Sequence, residues 1–322
     1  MSSILEITNL IVRYKIKNKE IHAVEDVSLS VNKEEFVGIV GESGSGKSTM
    51  AHAIVKLLPP NAYIKNGKVN LLGYDLTNMT DEEVMKVRWK DFSIVFQKSM
   101  SALSPVHRID DQMMEAIKLH NPQISQQDIE SRLNKLLQMV NLPKRVLKSY
   151  PHELSGGMMQ RVMIALALVN FPKFVIFDEA TTALDVVTQG QIIEEIRQLV
   201  KELSLTGMVI THDIGVVNEL CDKIAVMYAG KLVEYGSKSD IIHNPYHPYT
   251  KALISSLPDF MKERGEFAGI PGNLPDLSQP PKGCIFAPRC PLADEKCFEQ
   301  VPPLLKNDDR QVACFKVKEV KA

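Results

Sequence analysis

The stretch FVGIVGESGSGKSTMAHAI, Phe36 to Ile54, decides the fold. Phe36–Val40 is a short continuous apolar run, the pattern of a buried strand. Gly41–Thr49, GESGSGKST, matches the P-loop pattern in the setting that pattern needs: strand, Gly-rich loop, helix. Gly41, Gly44 and Gly46 open backbone conformations closed to other residues. Backbone N–H groups along the loop, those of Ser43, Ser45, Ser48 and Thr49 included, can then wrap phosphates, and the helix N-terminus adds its dipole. Lys47 reaches the outer phosphates and the Ser48 hydroxyl suits Mg²⁺.

Working outward, FVIFDEATTALD supplies a second apolar strand, 174–178, that delivers Asp178 and Glu179 to its C-terminal end, where α/β sheets place ligands. Asp178 is expected in the Mg²⁺ shell. Glu179 is expected to orient and polarise an attacking water as general base. Gln97, after SIVF, and His212, after MVIT, end two further apolar runs, so three strand ends are expected to converge on one γ-phosphate. Taken singly, a strand-end glutamine or histidine is more often structural. The shared position next to a P-loop gives both a functional reading.

The rest of the chain fits an α/β protein. IAVMY at 224–228 reads as another buried strand. Residues from about 80 to 170 are helical and mostly polar, as in SQQDIESRLNKLLQMV, and read as an insertion in the α/β core; the helical subdomain is placed at about 92–170. After about 240 the texture turns Pro-rich, as in HNPYHPYT and GIPGNLPDLSQPPKGC, which marks a small, loop-rich C-terminal domain over 241–322. The 322 residues are 44% hydrophobic with a net charge of −1, which gives no bulk pull toward nucleic acid or anionic lipid. MSSILEITNLIVRY does not read as a signal peptide, and no apolar run is long enough to span a bilayer. A cytosolic chain is expected.

LSGGMMQR, Leu154–Arg161, resembles the signature motif of ATP-binding-cassette (ABC) ATPases. It stands after the P-loop and Gln97 and before FDEATTALD and His212, which is the family's order. Ser155, Gly156 and Gly157 sit where a helix begins, so N–H groups and the dipole can face an anion. The resemblance covers roughly 1–240. It implies a P-loop ABC nucleotide-binding domain with ATP and Mg²⁺ as cofactors. It also implies that the signature motif and Asp185, the D-loop residue, act in trans on nucleotide held by a second subunit. Tyr14 resembles the residue that stacks on adenine, Gln97 the Q-loop residue that meets Mg²⁺ and senses the membrane partner, and His212 the switch histidine. Lys47, Glu179 and His212 are the catalytic set implied. Ala180 departs from the proline common after the Asp-Glu pair, which should loosen that turn slightly.

Four of the five cysteines, Cys284, Cys290, Cys297 and Cys314, fall in the C-terminal segment. Disulfides are rare in the cytosol, so a metal or redox centre is expected. Zinc knuckles use closely spaced Cys pairs, which are absent, whereas iron–sulfur ligation tolerates a Cys-Pro step such as Cys290-Pro291. Cluster, zinc and plain thiols all remain open on chemistry. NPYHPYTKAL, GIPGNLPDL, GCIFAPRCPLADEKC and VACF further resemble the C-terminal region of ATPases from dipeptide and oligopeptide importers, shared by some nickel importers. That resemblance implies a [4Fe–4S] cluster on the four cysteines. Its role is expected to be structural, since so small and Pro-rich a segment could hardly build its own core, with a regulatory coupling of redox state to transport as the alternative. Cys221 reads as a buried apolar residue.

Together these imply the ATPase subunit of a peptide importer on the cytoplasmic face of the membrane, peripheral to it. The implied partners are a second, similar ATPase, two permeases and an extracellular binding protein. Cargo such as nickel is an alternative, since the ATPase never touches cargo. An ABC ATPase acting on nucleic acid or ribosomes is the alternative of another class. The chain lacks the tandem cassettes, long coiled-coil insertion or basic arm that such proteins usually show. A stand-alone iron–sulfur redox protein conflicts with the complete ATPase motif set.

Overall fold

The computed structural model describes residues 3–96, 102–181, 184–255, 270–307 and 310–317, in two compact units. The first comprises Met1–Val31, Glu35–Thr77 and Ile210–Ala322; the second comprises Asn32–Glu34 and Asn78–Val209. Among the described residues the strands are, in chain order, β1 (Ser3–Ile16), β2 (Lys19–Asn32), β3 (Phe36–Val40), β4 (Ala62–Leu71), β5 (Tyr74–Asp75), β6 (Phe92–Val95), β7 (Phe174–Asp178), β8 (Thr206–Ile210), β9 (Lys223–Tyr228), β10 (Lys231–Ser237), β11 (Leu305–Asn307) and β12 (Arg310–Val312). The expected strands at 36–40, 174–178, 208–211 and 224–228 correspond to β3, β7, β8 and β9.

In the first unit, β2, β1, β4 and β5 form one sheet in that order, with β1–β4 and β4–β5 antiparallel. Along β1, buried Leu5 and Ile7 alternate with exposed Glu6 and Thr8, as a half-buried strand requires. At Asn9 the alternation slips by one residue. Its φ is 47°, and the register against β4 shifts between Thr8 and Ile11. This bulge moves Leu10, Val12 and Tyr14 onto one face, which the unbroken period would have given to their neighbours.

The phosphate loop follows β3, whose five residues are all buried. β3 runs parallel to β9, pairing Val37 with Lys223 through Val40 with Val226. Burial on both faces explains the uninterrupted apolar run. β9 pairs antiparallel with β10, β10 with β12, and β12 with β11.

The Pro-rich extension is tied into this unit at several points. β12 adds to β10, pairing Val312 with Glu234 and Gln311 with Tyr235. The Glu234 carboxylate is fully buried. It accepts from the N–H groups of Tyr246 (2.8 Å) and His247 (2.9 Å) and from Arg310 Nη2 (3.1 Å). Finally, Phe286 packs edge-on against Tyr228 and Tyr249, with ring centroids 5.1 and 5.4 Å away, and lies 5.8 Å from His247.

In the second unit, β6 and β7 are parallel, pairing Phe92 with Phe174 through Val95 with Phe177, and β8 lies beside β7. The helix Gln126–Met139 begins where Ser125 accepts from the Asp128 N–H at 3.1 Å. It buries Ile129, Leu133, Leu136 and Leu137, a single stripe at helical spacing. Helices Asp81–Val87, Ile109–His120 and Gly156–Ala167 lie in the stretch that reads as helical and polar, and Val186–Glu202 follows beyond it.

Burial holds the His247 imidazole neutral, with its pKa pushed down to about 3, and its Nδ1 accepts from the Tyr249 N–H at 3.1 Å. The unfolded chain protonates this residue below about pH 6.5, whereas the native state does not. Stability from this group is therefore complete above pH 6.5 and drains away on acidification, by about 2 kcal/mol at pH 5. Urea unfolding against pH should show this slope in the native chain and a shallower one in His247→Gln.

Candidate functional site

The loop Gly41–Thr49 leaves β3 with Gly41 at φ 150° and enters the helix Lys47–Ile54 through Gly46 at φ 94°. A Cβ at Gly41 would collide with the Met227 carbonyl oxygen, and one at Gly46 with the Ala23 carbonyl oxygen. Both positions therefore need glycine for its φ and for the close approach of a neighbouring backbone. The helix starts without a side-chain cap at Gly46. Its N-terminus thereby keeps the character of an anion site.

Lys47 is 4% exposed and lies back along its own loop. Its Nζ donates to Gly41 O (2.8 Å), Glu42 O (2.9 Å) and Ser45 Oγ (3.4 Å). The ammonium is thus held inside the curve of the loop, where phosphate oxygens would arrive. Tyr14 is half-buried beside this helix, with its hydroxyl 3.2 Å from Thr49 Oγ1. His212 is exposed directly after β8. Its neighbour Thr211 donates its N–H to Ile39 O in β3 at 3.1 Å, so the His212 turn is tethered to the strand that feeds the phosphate loop. Tyr14, the loop and His212 all belong to the first unit.

Asp178, Glu179, Ser155–Gly157 and Asp185 belong to the second unit. Asp178 ends β7 and is 2% exposed. Glu179 follows with φ 47°, a left-handed conformation that non-glycine residues adopt at a cost. Strain of this kind gathers at functional sites. Gln97 lies outside the described residues.

Ser155 is the N-cap of the helix Gly156–Ala167, accepting from the Met158 N–H at 3.3 Å. Gly157 faces the helix Val186–Glu202, where a Cβ would crowd the Thr188 methyl group. Asp185 caps that second helix, accepting from Thr188 N–H (3.0 Å) and Thr188 Oγ1 (2.7 Å). Those hydrogen bonds hold its carboxyl below the usual range. Signature motif and D-loop residue thus meet through one threonine. Arg161, at the end of LSGGMMQR, reinforces the contact: its Nε donates to both Glu195 oxygens (3.0 and 2.8 Å) and its Nη2 to Oε1 (2.8 Å). Nothing local in the sequence pairs Arg161 with Glu195.

The four C-terminal cysteines all lie in the first unit. All five cysteines of the chain are free thiols. The Cys284 N–H donates to Cys297 O at 2.7 Å, and burial pushes the Cys284, Cys290 and Cys314 thiols up. However, among the described residues no group of three or more His, Cys, Asp or Glu side chains is placed to hold a metal ion. The expected ligation of an iron–sulfur cluster or zinc by Cys284, Cys290, Cys297 and Cys314 is therefore not supported. The physical reason is that the segment borrows a core. Phe286 is 1% exposed against Tyr228 and Tyr249, β12 completes a sheet, and the anchoring assigned to a metal is supplied by packing. Cys221, outside this group, is buried.

A family profile described as ABC transporter matches residues 24–182, and one described as the oligopeptide/dipeptide transporter C-terminal region matches 233–297. The dipeptide transport ATP-binding protein DppD of Caldanaerobacter subterraneus subsp. tengcongensis is 42% identical, over 99% of this chain and 98% of that one. The oligopeptide transport ATP-binding protein OppD of Salmonella typhimurium is 41% identical, over 97% and 93%. Among solved structures, the ATP-binding cassette MJ0796, in a dimeric post-hydrolysis state with ADP and Pi, is 30% identical. It superposes with a TM-score of 0.66, over 73% of this chain and 98% of that one. The chain belongs to the ABC transporter family of ATPases, in the branch of dipeptide and oligopeptide transport ATP-binding proteins. It carries the mixed α/β fold of that class.

Gly46→Ala should weaken ATP binding at least roughly tenfold, since left-handed strain of about 1–3 kcal/mol adds to the backbone collision. A fluorescent-nucleotide titration, with circular dichroism to verify the fold, checks this.

Proposed function

We propose that this chain is the ATP-hydrolysing subunit of an importer for di- or oligopeptides, seated peripherally on the cytoplasmic side of its permeases. The observation that carries the reading is the pairing of a complete ATPase motif set with a C-terminal segment matched to the oligopeptide/dipeptide transporter region. Relatives named for peptide transport match over nearly the full length of the chain. Among the described residues no helix is long and apolar enough to cross a membrane, so the spanning part would come from partners. A second cassette, two permeases and an extracellular binding protein complete the proposed assembly.

In this reading the loop N–H groups of Ser43, Gly44 and Gly46 to Thr49 and the Lys47 ammonium hold the phosphates, whereas the Ser45 N–H donates to Glu42 O at 3.1 Å and braces the loop instead. Tyr14 borders the adenine. Ser48, Asp178 and Gln97 offer the hard oxygen donors that suit Mg²⁺, and the ion, when bound, offsets phosphate charge. Glu179 orients and deprotonates the attacking water, and His212 holds the γ-phosphate end. Ser155, Gly156 and Gly157 present a helix N-terminus to nucleotide on the other cassette, and Asp185 fixes the start of the neighbouring helix. Catalysis is then mostly positioning and charge stabilisation, with closure of two cassettes on two ATP molecules driving the permeases. An iron–sulfur or zinc centre is not part of the proposal, and no step passes through one.

Glu179→Gln should bind ATP like the native chain and lose turnover by about 10²–10⁴, the range for a missing general base. Phosphate release with the permeases in reconstituted membranes measures this. Stimulation by peptide in the same membranes supports the cargo, and stimulation by nickel alone would overturn it.

A further inference from the structure

Glu42 is the second residue of the phosphate loop, and the site as described gives it no task. The C-terminal segment nevertheless grips it. Arg289 Nη1 donates to Glu42 Oε2 at 2.8 Å and Nη2 to Oε1 at 3.1 Å, a two-pronged ion pair joining residues 247 apart in sequence. The other donors of the same guanidinium reach Pro271 O (Nε, 2.7 Å), Ile270 O (Nη2, 3.0 Å) and the Tyr228 hydroxyl (Nη1, 3.2 Å). The side chain is 6% exposed. All five N–H groups of a guanidinium are thereby used, which fixes its position closely. The backbone of Glu42 is held as well: its N–H donates to the Tyr249 hydroxyl at 2.9 Å, and its carbonyl accepts from Lys47 Nζ at 2.9 Å. Leu274 touches the loop again, lying 3.3 Å from where a Cβ of Gly44 would be.

A carboxylate on a loop that receives a polyanion is a liability unless its charge is offset. A loop that must order itself on binding also loses affinity to that ordering. Arg289 meets both needs at once. We propose that Arg289 is a positioning residue for nucleotide binding: it neutralises Glu42 and, with Tyr249, holds the phosphate loop ready, so that the C-terminal extension sets the chain's affinity for ATP. This rests on the reading that Gly41–Thr49 receives the phosphates. Arg289 does not touch nucleotide in this scheme and acts through Glu42.

The proposal predicts a sign that simple anchoring does not. Arg289→Ala should weaken ATP binding about tenfold, because it leaves a bare negative charge beside the phosphates. Removing that charge as well, in Glu42→Gln/Arg289→Ala, should restore affinity to near that of Glu42→Gln alone. ATP should lose more than ADP, which carries less charge. Calorimetric titration of the full chain with Mg-ATP and Mg-ADP measures all of these, and in reconstituted membranes KM for ATP should change by a larger factor than kcat. Affinity of Arg289→Ala within twofold of native, or a double variant no tighter than Arg289→Ala, overturns the proposal. If Arg289→Ala does not fold, Arg289→Lys carries the test, since it keeps the charge and loses the fork. A roughly threefold loss is then expected, and no loss overturns the proposal. Lys47→Ala separates the two layers: if it binds ATP as the native chain does, the phosphate-loop reading itself fails, whatever Arg289 does.

Discussion

A loop that binds phosphate through backbone N–H groups must aim most of those groups outward, although one here, that of Ser45, turns back to Glu42 O at 3.1 Å. It therefore gains little stability from its own hydrogen bonds, and its shape has to be imposed from outside. Much else in the first unit answers to this constraint. Buried β3 delivers the loop, and β9 lies alongside with the Met227 carbonyl so close to Gly41 that only glycine fits. Lys47 closes the curve from within, and Tyr249 and Arg289 close it from the far end of the chain. The second unit solves the matching problem for the signature motif, with Gly157, Thr188 and Asp185 locking two helix starts against each other.

Features carried by contiguous residues were legible in the sequence. The phosphate loop, the strand ending in Asp178 and the helix start at Ser155–Gly157 each follow from a local run whose chemistry is self-explanatory. The core strands were legible too, because burial on both faces leaves no polar residue to blur the pattern. Features made by distant partners were not. Arg289 and Glu42 are ordinary surface-type residues until the fold brings them together. Glu234 sits in KLVEYGS as an unremarked acid, yet it is fully buried and organises Tyr246, His247 and Arg310. The slip at Asn9, which sets the face Tyr14 occupies, depends on pairing with β4 and has no clear local signal.

The cysteines show how a strong local pattern can point past the structure. Four thiols in a Pro-rich stretch invite a metal, because such a stretch alone has too little apolar surface to fold. The stretch is not alone, however. Phe286 completes an aromatic cluster with Tyr228 and Tyr249, and each of those residues also serves the phosphate loop, Tyr228 through Arg289 and Tyr249 through Glu42. The extension and the loop thus draw on the same side chains for order.

That sharing changes what counts as a minimal cassette. β10 has one edge against β9 and the other against β12, and its interior residues are all buried. A chain cut near residue 240, where the composition changes, would strip β12 away. It would leave β10 with a row of unsatisfied backbone groups on an apolar strand, the kind of edge that recruits another chain. It would also strip Glu234 of Arg310 and of the Tyr246 and His247 N–H groups that its carboxylate accepts from. The apparent appendage is therefore the cover of the sheet, and deleting it would convert a nucleotide-binding unit into a self-associating one.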